Sequence, residues 1–241
     1  MQRSVGKRTN ILKFVGSQKV HYFIHSNKMN YLRILVIFAL CATPLLANPQ
    51  QPAHWKLCAA CHGSDGHGNK SFQAPAIAGL PDWYVKRQLE KFRTYVRGAH
   101  PDDVSGHLMR PMARALPVGK TDEMSSYVAS LTKKPMIDTI GGDPVKGKAL
   151  YAVCAACHGV NGEGNPLLKA PSQVGLDDWY MLDQLKKFKD GLRGKHPEDV
   201  EGMTMAPILA TLADEEAMKD VIAYIRQLPG TPVAPPPVAQ N

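Results

Sequence analysis

The sequence predicts an all-α protein made from one domain used twice. Three observations predict it. The segment "LCAACHG" at 57–63 returns as "VCAACHG" at 153–159, so that Cys58 recurs as Cys154, 96 residues on. The same offset holds without a gap for about sixty further positions, with about half of the aligned residues identical, which is the mark of a duplicated unit. Within each copy the apolar residues recur at helical spacing, and no stretch alternates apolar and polar as a half-buried strand would.

The elements follow in order. Residues 1–47 carry seven Lys/Arg and no Asp or Glu. From Met29 a short basic stretch leads into "ILVIFALCATPLLA", which is too short to span a bilayer and ends on a small residue, as a cleaved export signal does. Cleavage is expected near Ala47, which would remove Cys41 and leave the protein in the periplasm; retention as a membrane anchor is the alternative. The first domain is expected over 48–137 and the second over 138–229, joined through "KKPMIDTIGGD" with its proline and paired glycines. In the first, Val85, Leu89, Phe92 and Val96 mark the apolar face of a helix; in the second, Met181, Leu185, Phe188 and Leu192 do so. Gly98 and Gly194 are expected to stop those helices. The last helix of each half shows the same periodicity through Met124, Tyr127, Val128 and Leu131, and through Val221, Tyr224, Ile225 and Leu228. The ending "PGTPVAPPPVAQN", residues 230–241 with Pro229 before them, reads as a Pro-rich disordered tail. A domain of about ninety residues has a small core of its own, and a large apolar cofactor would enlarge it.

The formal charge of +8 suggests an acidic partner until the charge is located. Without the leader, 22 Lys/Arg stand against 21 Asp/Glu, so nucleic-acid binding is set aside. The balance is uneven. Residues 48–137 hold 12 Lys/Arg and 7 Asp/Glu, whereas 138–241 hold 10 and 14. Such a charge dipole steers encounters with a charged partner. Lys86, Arg87, Lys91 and Arg93 are the cations expected to face it, with Asp178, Asp183 and Asp190 as their counterparts in the second half.

Cys58-x-x-Cys61-His62 and Cys154-x-x-Cys157-His158 have the spacing of c-type haem attachment. Two thiols one helical turn apart can add to the two vinyl groups of one haem, and the next residue offers its imidazole to the iron. A redox disulfide would not require the histidine. A shared zinc site would need the two pairs to meet across separate repeats. Two covalently bound haem c groups are therefore expected.

These motifs resemble the di-haem class I cytochromes c of the c4 type. The resemblance runs through both halves and rests on CxxCH, on "GxxGxGN", on "APAIAG" and "APSQVG", on "WYVKRQLEKF" and "WYMLDQLKKF", and on a late methionine followed seven residues on by Leu. It implies two tandem class I cytochrome c domains, with Pro75 and Pro171 beside the proximal histidines, where a backbone carbonyl orients the imidazole. The chain departs from the pattern at Gln173, opposite Ile77, and at Tyr95, where a glycine is usual. Aligned at the repeat offset, "MRPMARAL" lies over "MAPILATL": Met109 meets Met205, and Met112 meets Ile208. If both irons take methionine by duplicated geometry, the ligand pairs are His62 with Met109 and His158 with Met205. The competing assignment gives Met112 or His107 to the first iron. Arg97 and Arg193 are read either as surface charges or as partners of haem propionates. His100 and His196 are read as parts of a turn that Asp103 and Asp199 cap. His54, His67 and His107, which have no counterpart, are read as solvent-facing.

With both axial positions filled, the expected function is outer-sphere, one-electron transfer between periplasmic redox proteins. The donor is expected to be of the quinol–cytochrome c reductase type and the acceptor a terminal oxidase. There is no small-molecule substrate and no enzymatic activity of its own, and peripheral association with a membrane is compatible. The alternatives are a haem subunit of a periplasmic oxidoreductase and a di-haem enzyme such as a peroxidase, which would need a labile axial site.

Overall fold

The structure is a computed structural model in which residues 50–229 are described. The leader with Ala47 and Cys41, and the tail 230–241, lie outside the described residues. Among the described residues the only β pairing is two isolated bridges, Asn69 with Ala74 and Asn165 with Ala170, at equivalent places in the two halves. The first half contains α1 (Trp55–His62), α2 (Asp82–Arg93), α3 (Val104–Ala115) and α4 (Thr121–Ser130). The second contains α5 (Pro144–His158), α6 (Asp178–Lys189), α7 (Val200–Met205), a 3₁₀ turn over Ala206–Thr211, and α8 (Glu215–Ile225). The all-α expectation and its duplicated plan are what the chain adopts.

Caps set the starts of these helices. Asp103 and Asp199 each accept from the backbone N–H three residues on, at Gly106 and Gly202, both 3.1 Å. This satisfies a donor that the first turn leaves open. The preceding turns match as well: Nδ1 of His100 accepts from Asp102 N, and Nδ1 of His196 from Glu198 N, both 3.2 Å. The turn reading of both histidines is what the structure holds. Asp143 caps α5 ahead of Pro144, whose missing N–H costs nothing at a first helical position.

The middle helices end sooner than the glycines suggest. α2 stops at Arg93 and α6 at Lys189, five residues before Gly98 and Gly194. The chain leaves the helix through a left-handed residue, Tyr95 (φ 67) in the first half and Gly191 (φ 77) in the second. Gly98 serves a different purpose. A Cβ there would lie 2.5 Å from the carbonyl oxygen of Gly106, so the glycine lets this loop lie against the backbone of α3.

Each half has its own core. In the first, Trp55, Leu80, Leu116, Met124, Tyr127 and Val128 are buried together, with Trp55 against Tyr127 at a ring separation of 5.1 Å. In the second, Tyr151, Met181, Leu209, Leu212, Val221, Ile222 and Leu228 form the cluster, and Met136 from the connecting segment joins it. Leu116 and Leu212, seven residues after the two methionines, are each 3% exposed. Leu176 packs on both clusters and so belongs to the contact between the halves.

Charged residues also cross that contact, and they do so in exchanged pairs. Lys91 of α2 meets Asp199 at 2.5 Å, and its repeat equivalent Lys187 of α6 meets Asp103 at 2.9 Å. Lys91 also reaches Glu201 (2.6 Å), which Arg87 holds from the other side (3.0 Å). Lys134 pairs with Asp177 (2.6 Å), whose second oxygen accepts from Ala76 N. Residue i of one half contacting j of the other, and j contacting i, is the pattern of a two-fold interface within one chain. The cations that charge counting assigned to an outside partner are therefore engaged internally. Lys86 pairs with Asp122, Arg87 and Lys91 cross to the second half, and Arg93 donates to the carbonyls of Ala113 and Leu116. Asp178 is 1% exposed and accepts from Thr139, and Asp183 pairs with Lys187.

Candidate haem centres

α1 and α5 end on the histidines. His62 and His158 are the last residues of their helices, and Gly63 and Gly159, at φ 82 in both, turn the chain away. Both imidazoles are buried, 6% and 8% exposed. The Nδ1 of His62 lies 2.7 Å from the Pro75 carbonyl, and that of His158 lies 2.8 Å from the Pro171 carbonyl. Burial pushes both histidines below their ordinary value, against the pull of the proline carbonyls. A neutral ring bonded this way carries its proton on Nδ1 and leaves the Nε2 lone pair unused, which is the form a metal takes.

Above each histidine the thiols lie one turn apart. Cys58, Cys61, Cys154 and Cys157 are all free, with no disulfide within either pair. Cys58 packs at the edge of the first core and Cys154 at the edge of the second, and burial raises each thiol to about 11. Met205 packs on the same cluster as Cys154. Met109 and Met112 are both half-buried on α3, which runs unbroken through Pro111. Met205 instead closes α7, and the chain tightens to 3₁₀. The duplicated methionines thus sit in backbones of different pitch.

Two guanidiniums complete the arrangement. Arg97 lies over the Phe92 ring (4.5 Å) and Arg193 over the Phe188 ring (4.3 Å). Arg97 donates to Gln88, Tyr180 and Gln184, and Arg193 to Gln184, yet the Nε of each is buried without a partner. No carboxylate bonds to either guanidinium among the described residues. Buried charges left this way call for anionic partners. Free thiol pairs, a metal-ready imidazole beside each, and orphaned arginine donors together fit a haem with its two propionates in each half. Gln173, which replaces Ile77 in the second half, has an Oε1 that is also buried and unpartnered. His107, expected at the surface, is half-buried with an unpartnered Nε2, because α3 turns that edge toward Tyr95. His67 is likewise tied down, bonding the Thr132 carbonyl and Asp65. The exchanged pairs at the domain contact were missed by sequence reasoning, although their signal was present: Lys91/Lys187 and Asp103/Asp199 repeat at the same offset as the haem motifs.

The family model for cytochrome c matches residues 52–132 and again 144–229. The chain belongs to the cytochrome c family, with two tandem domains. It is similar to cytochrome c4 of Azotobacter vinelandii, at 27% identity over 71% of this chain and 84% of that protein. It is also similar to the thiosulfate dehydrogenase electron acceptor of Stutzerimonas stutzeri strain A1501, at 30% identity over 75% of this chain and 82% of that protein. Among solved structures, the cytochrome c4 of Acidithiobacillus ferrooxidans superposes with a TM-score of 0.57 at 26% identity, covering 72% of this chain and 99% of that one. The protein is thus a di-haem electron-transfer cytochrome of the c4 type, with two covalently attached haem c groups.

Proposed function

We propose that the protein is an exported electron carrier whose two domains, 48–137 and 138–229, each hold one haem and pass single electrons between periplasmic redox proteins. In the first domain Cys58 and Cys61 would form the thioether links and His62 and Met109 would hold the iron; in the second the same roles would fall to Cys154, Cys157, His158 and Met205. The observation that carries this reading is the pair of histidine–proline contacts, His62 to Pro75 and His158 to Pro171, at 2.7 and 2.8 Å. Equivalent geometry at the two histidines supports the same role for each, and the methionines recurring at the same offset support a filled second position in both halves.

When bound, each haem supplies a one-electron iron couple. The chain's own part is to hold it. The proline carbonyls keep the imidazole proton on Nδ1, which leaves Nε2 free to hold an iron and fixes the orientation of the ring. The Met109 and Met205 thioethers, as ligands, would favour the reduced iron and raise its potential. Arg97 and Arg193 are set to take the propionates, whose negative charge would satisfy the two orphaned Nε atoms. Trp55 and Tyr151, at equivalent positions, brace the attachment helices by donating to the Ser64 and Gly159 carbonyls.

The donor is read as a quinol-oxidising complex and the acceptor as a terminal oxidase. Similarity to a thiosulfate dehydrogenase electron acceptor supports a second donor class, an enzyme that oxidises a sulfur compound. None of the described helices is long and apolar enough to cross a membrane. The test is intact-mass spectrometry and ferric-state electron paramagnetic resonance of the protein made in a haem-attaching host. Two covalent haems, both low-spin, are expected. A single haem would contradict the di-haem reading itself, and a high-spin signal from one of two haems would favour the enzyme reading.

A further inference from the structure

The first domain carries a hollow of about 590 Å³ lined by Tyr95, His107, Arg110, Pro111, Arg114 and Ala115. Its charge is arranged. The Arg110 guanidinium lies 3.7 Å above the Tyr95 ring and donates to the Gly98 carbonyl at 3.1 Å. Arg114, one turn on, stacks at 5.5 Å and bonds the Tyr95 hydroxyl. Neither arginine meets a carboxylate among the described residues, whereas Lys86, Arg87 and Lys91 all do. Stacking on an aromatic ring holds a guanidinium in place and leaves its outer edge open to carboxylate oxygens. Tyr95 itself holds φ 67, a backbone region that favours glycine, and the second half does use glycine there. Strain kept where a strain-free residue is available points to a use for the ring.

The rest of that helix face is apolar and open. Val104 is 60% exposed and Leu108 58%. Residues 104, 107, 108, 111, 114 and 115 share one side of α3, since each lies three or four residues from another of the set. An apolar centre beside tyrosine and arginine is the composition of a protein–protein contact. In the second half the equivalents of Tyr95, His107, Arg110 and Arg114 are Gly191, Met203, Ala206 and Ala210, so none of these four positions carries a cation there.

We infer that the Tyr95–Arg110–Arg114 face of α3 is the docking surface for an acidic redox protein, whose aspartate or glutamate side chains enter the hollow while an apolar patch covers Val104 and Leu108. The inference rests on the carrier reading and names the side from which one partner approaches: the helix that carries Met109.

The test uses the holoprotein at low ionic strength on a gold electrode coated with a mixed carboxylate- and methyl-terminated alkanethiol monolayer, which stands in for the acidic partner. Interfacial electron transfer should slow by about tenfold or more in Arg110→Ala/Arg114→Ala, as loss of a steering patch implies. The charge-matched pair Lys148→Ala/Lys195→Ala, two exposed lysines of the second domain, should slow it less than about twofold, because exposed charges distant from the contact are screened. Tyr95→Gly, which gives the first half the residue of the second, should fold normally and show part of the loss. Equal slowing by both arginine and lysine pairs, or none by either, would overturn the inference. So would equal activity on a purely methyl-terminated surface. Inhibition by sulfate, but not by chloride at equal ionic strength, would also overturn it in favour of a small-oxyanion site. Haem content and the ferric spectrum recorded for each variant separate this failure from failure of the carrier reading. Intact low-spin haems with unchanged docking would count against the docking surface alone.

Discussion

The two domains share an interior and differ at the surface. Histidine, proline, methionine, arginine and the late leucine recur at one offset, and the contacts they make recur with them. Around this constant frame the first half has a helix of eight residues ending on its histidine and the second has one of fifteen. The first continues as α-helix past its methionine, while the second tightens to 3₁₀. The first places stacked arginines on its outer face where the second has alanine. Duplication has kept what holds a haem and changed what a partner or a potential would sense.

The domain contact gives the largest expected effect. Lys91 is 7% exposed at its side chain and bridges two carboxylates of the other half. Truncating one member of a buried ion pair costs about 3–5 kcal/mol, because the other charge is left unpaired. Lys91→Ala should split the thermal unfolding of the holoprotein into two transitions. Lys187→Ala, which frees Asp103, should do the same with a smaller shift, since Asp183, its other carboxylate, lies on its own helix. A single unchanged transition in both variants would mean that the halves do not rely on this contact.

Acid should act on the same place with a smaller effect. Burial works against the charge on Glu201, but Lys91 and Arg87 hold its carboxyl at about 2, below its ordinary 4.5. Burial also works against the charge on Asp103, but Lys187 and the Gly106 amide keep it below its ordinary value. A carboxylate with a depressed value contributes stability that is complete above the ordinary value and lost as the pH falls toward the depressed one. The contact should therefore hold at neutral pH and loosen between about 4.5 and 2, seen as a rising radius of gyration by small-angle scattering. Loosening that begins near neutrality would implicate the histidines instead.

The smallest effect concerns the braces of the attachment helices. Trp55 donates to Ser64 at 3.0 Å and Tyr151 to Gly159 at 2.8 Å. Tyr151→Phe removes one hydrogen bond and should cost about 1 kcal/mol of stability, measured by denaturant titration. Trp55→Phe should cost more, because the indole is fully buried and its replacement leaves space in the first core. Equal losses would show that the cavity adds little.

Much of this was legible in the chain. The haem motifs, the helical repeat and the cap by Asp103 all follow from local pattern. The end of α2 was not, because Gly98 looks like a helix stop and instead admits the backbone of α3. Nor was the fate of Lys91 and Arg87, which local pattern places on a solvated face and tertiary contact pairs across the domains. The orphaned Nε2 of His107 and the stacked arginines needed three dimensions, since Tyr95 and Arg110 meet across a turn.

The central claim is that duplicated positions give duplicated ligands, Met109 and Met205, although the backbones around them differ. The most direct test is the thioether-to-ferric-iron charge-transfer band in Met109→Ala, Met112→Ala and Met205→Ala holoproteins. The account predicts that Met109→Ala and Met205→Ala each remove half of the band and lower the potential of one haem, while Met112→Ala keeps the whole band. A Met112→Ala protein that loses half of the band while Met109→Ala retains it would contradict the assignment.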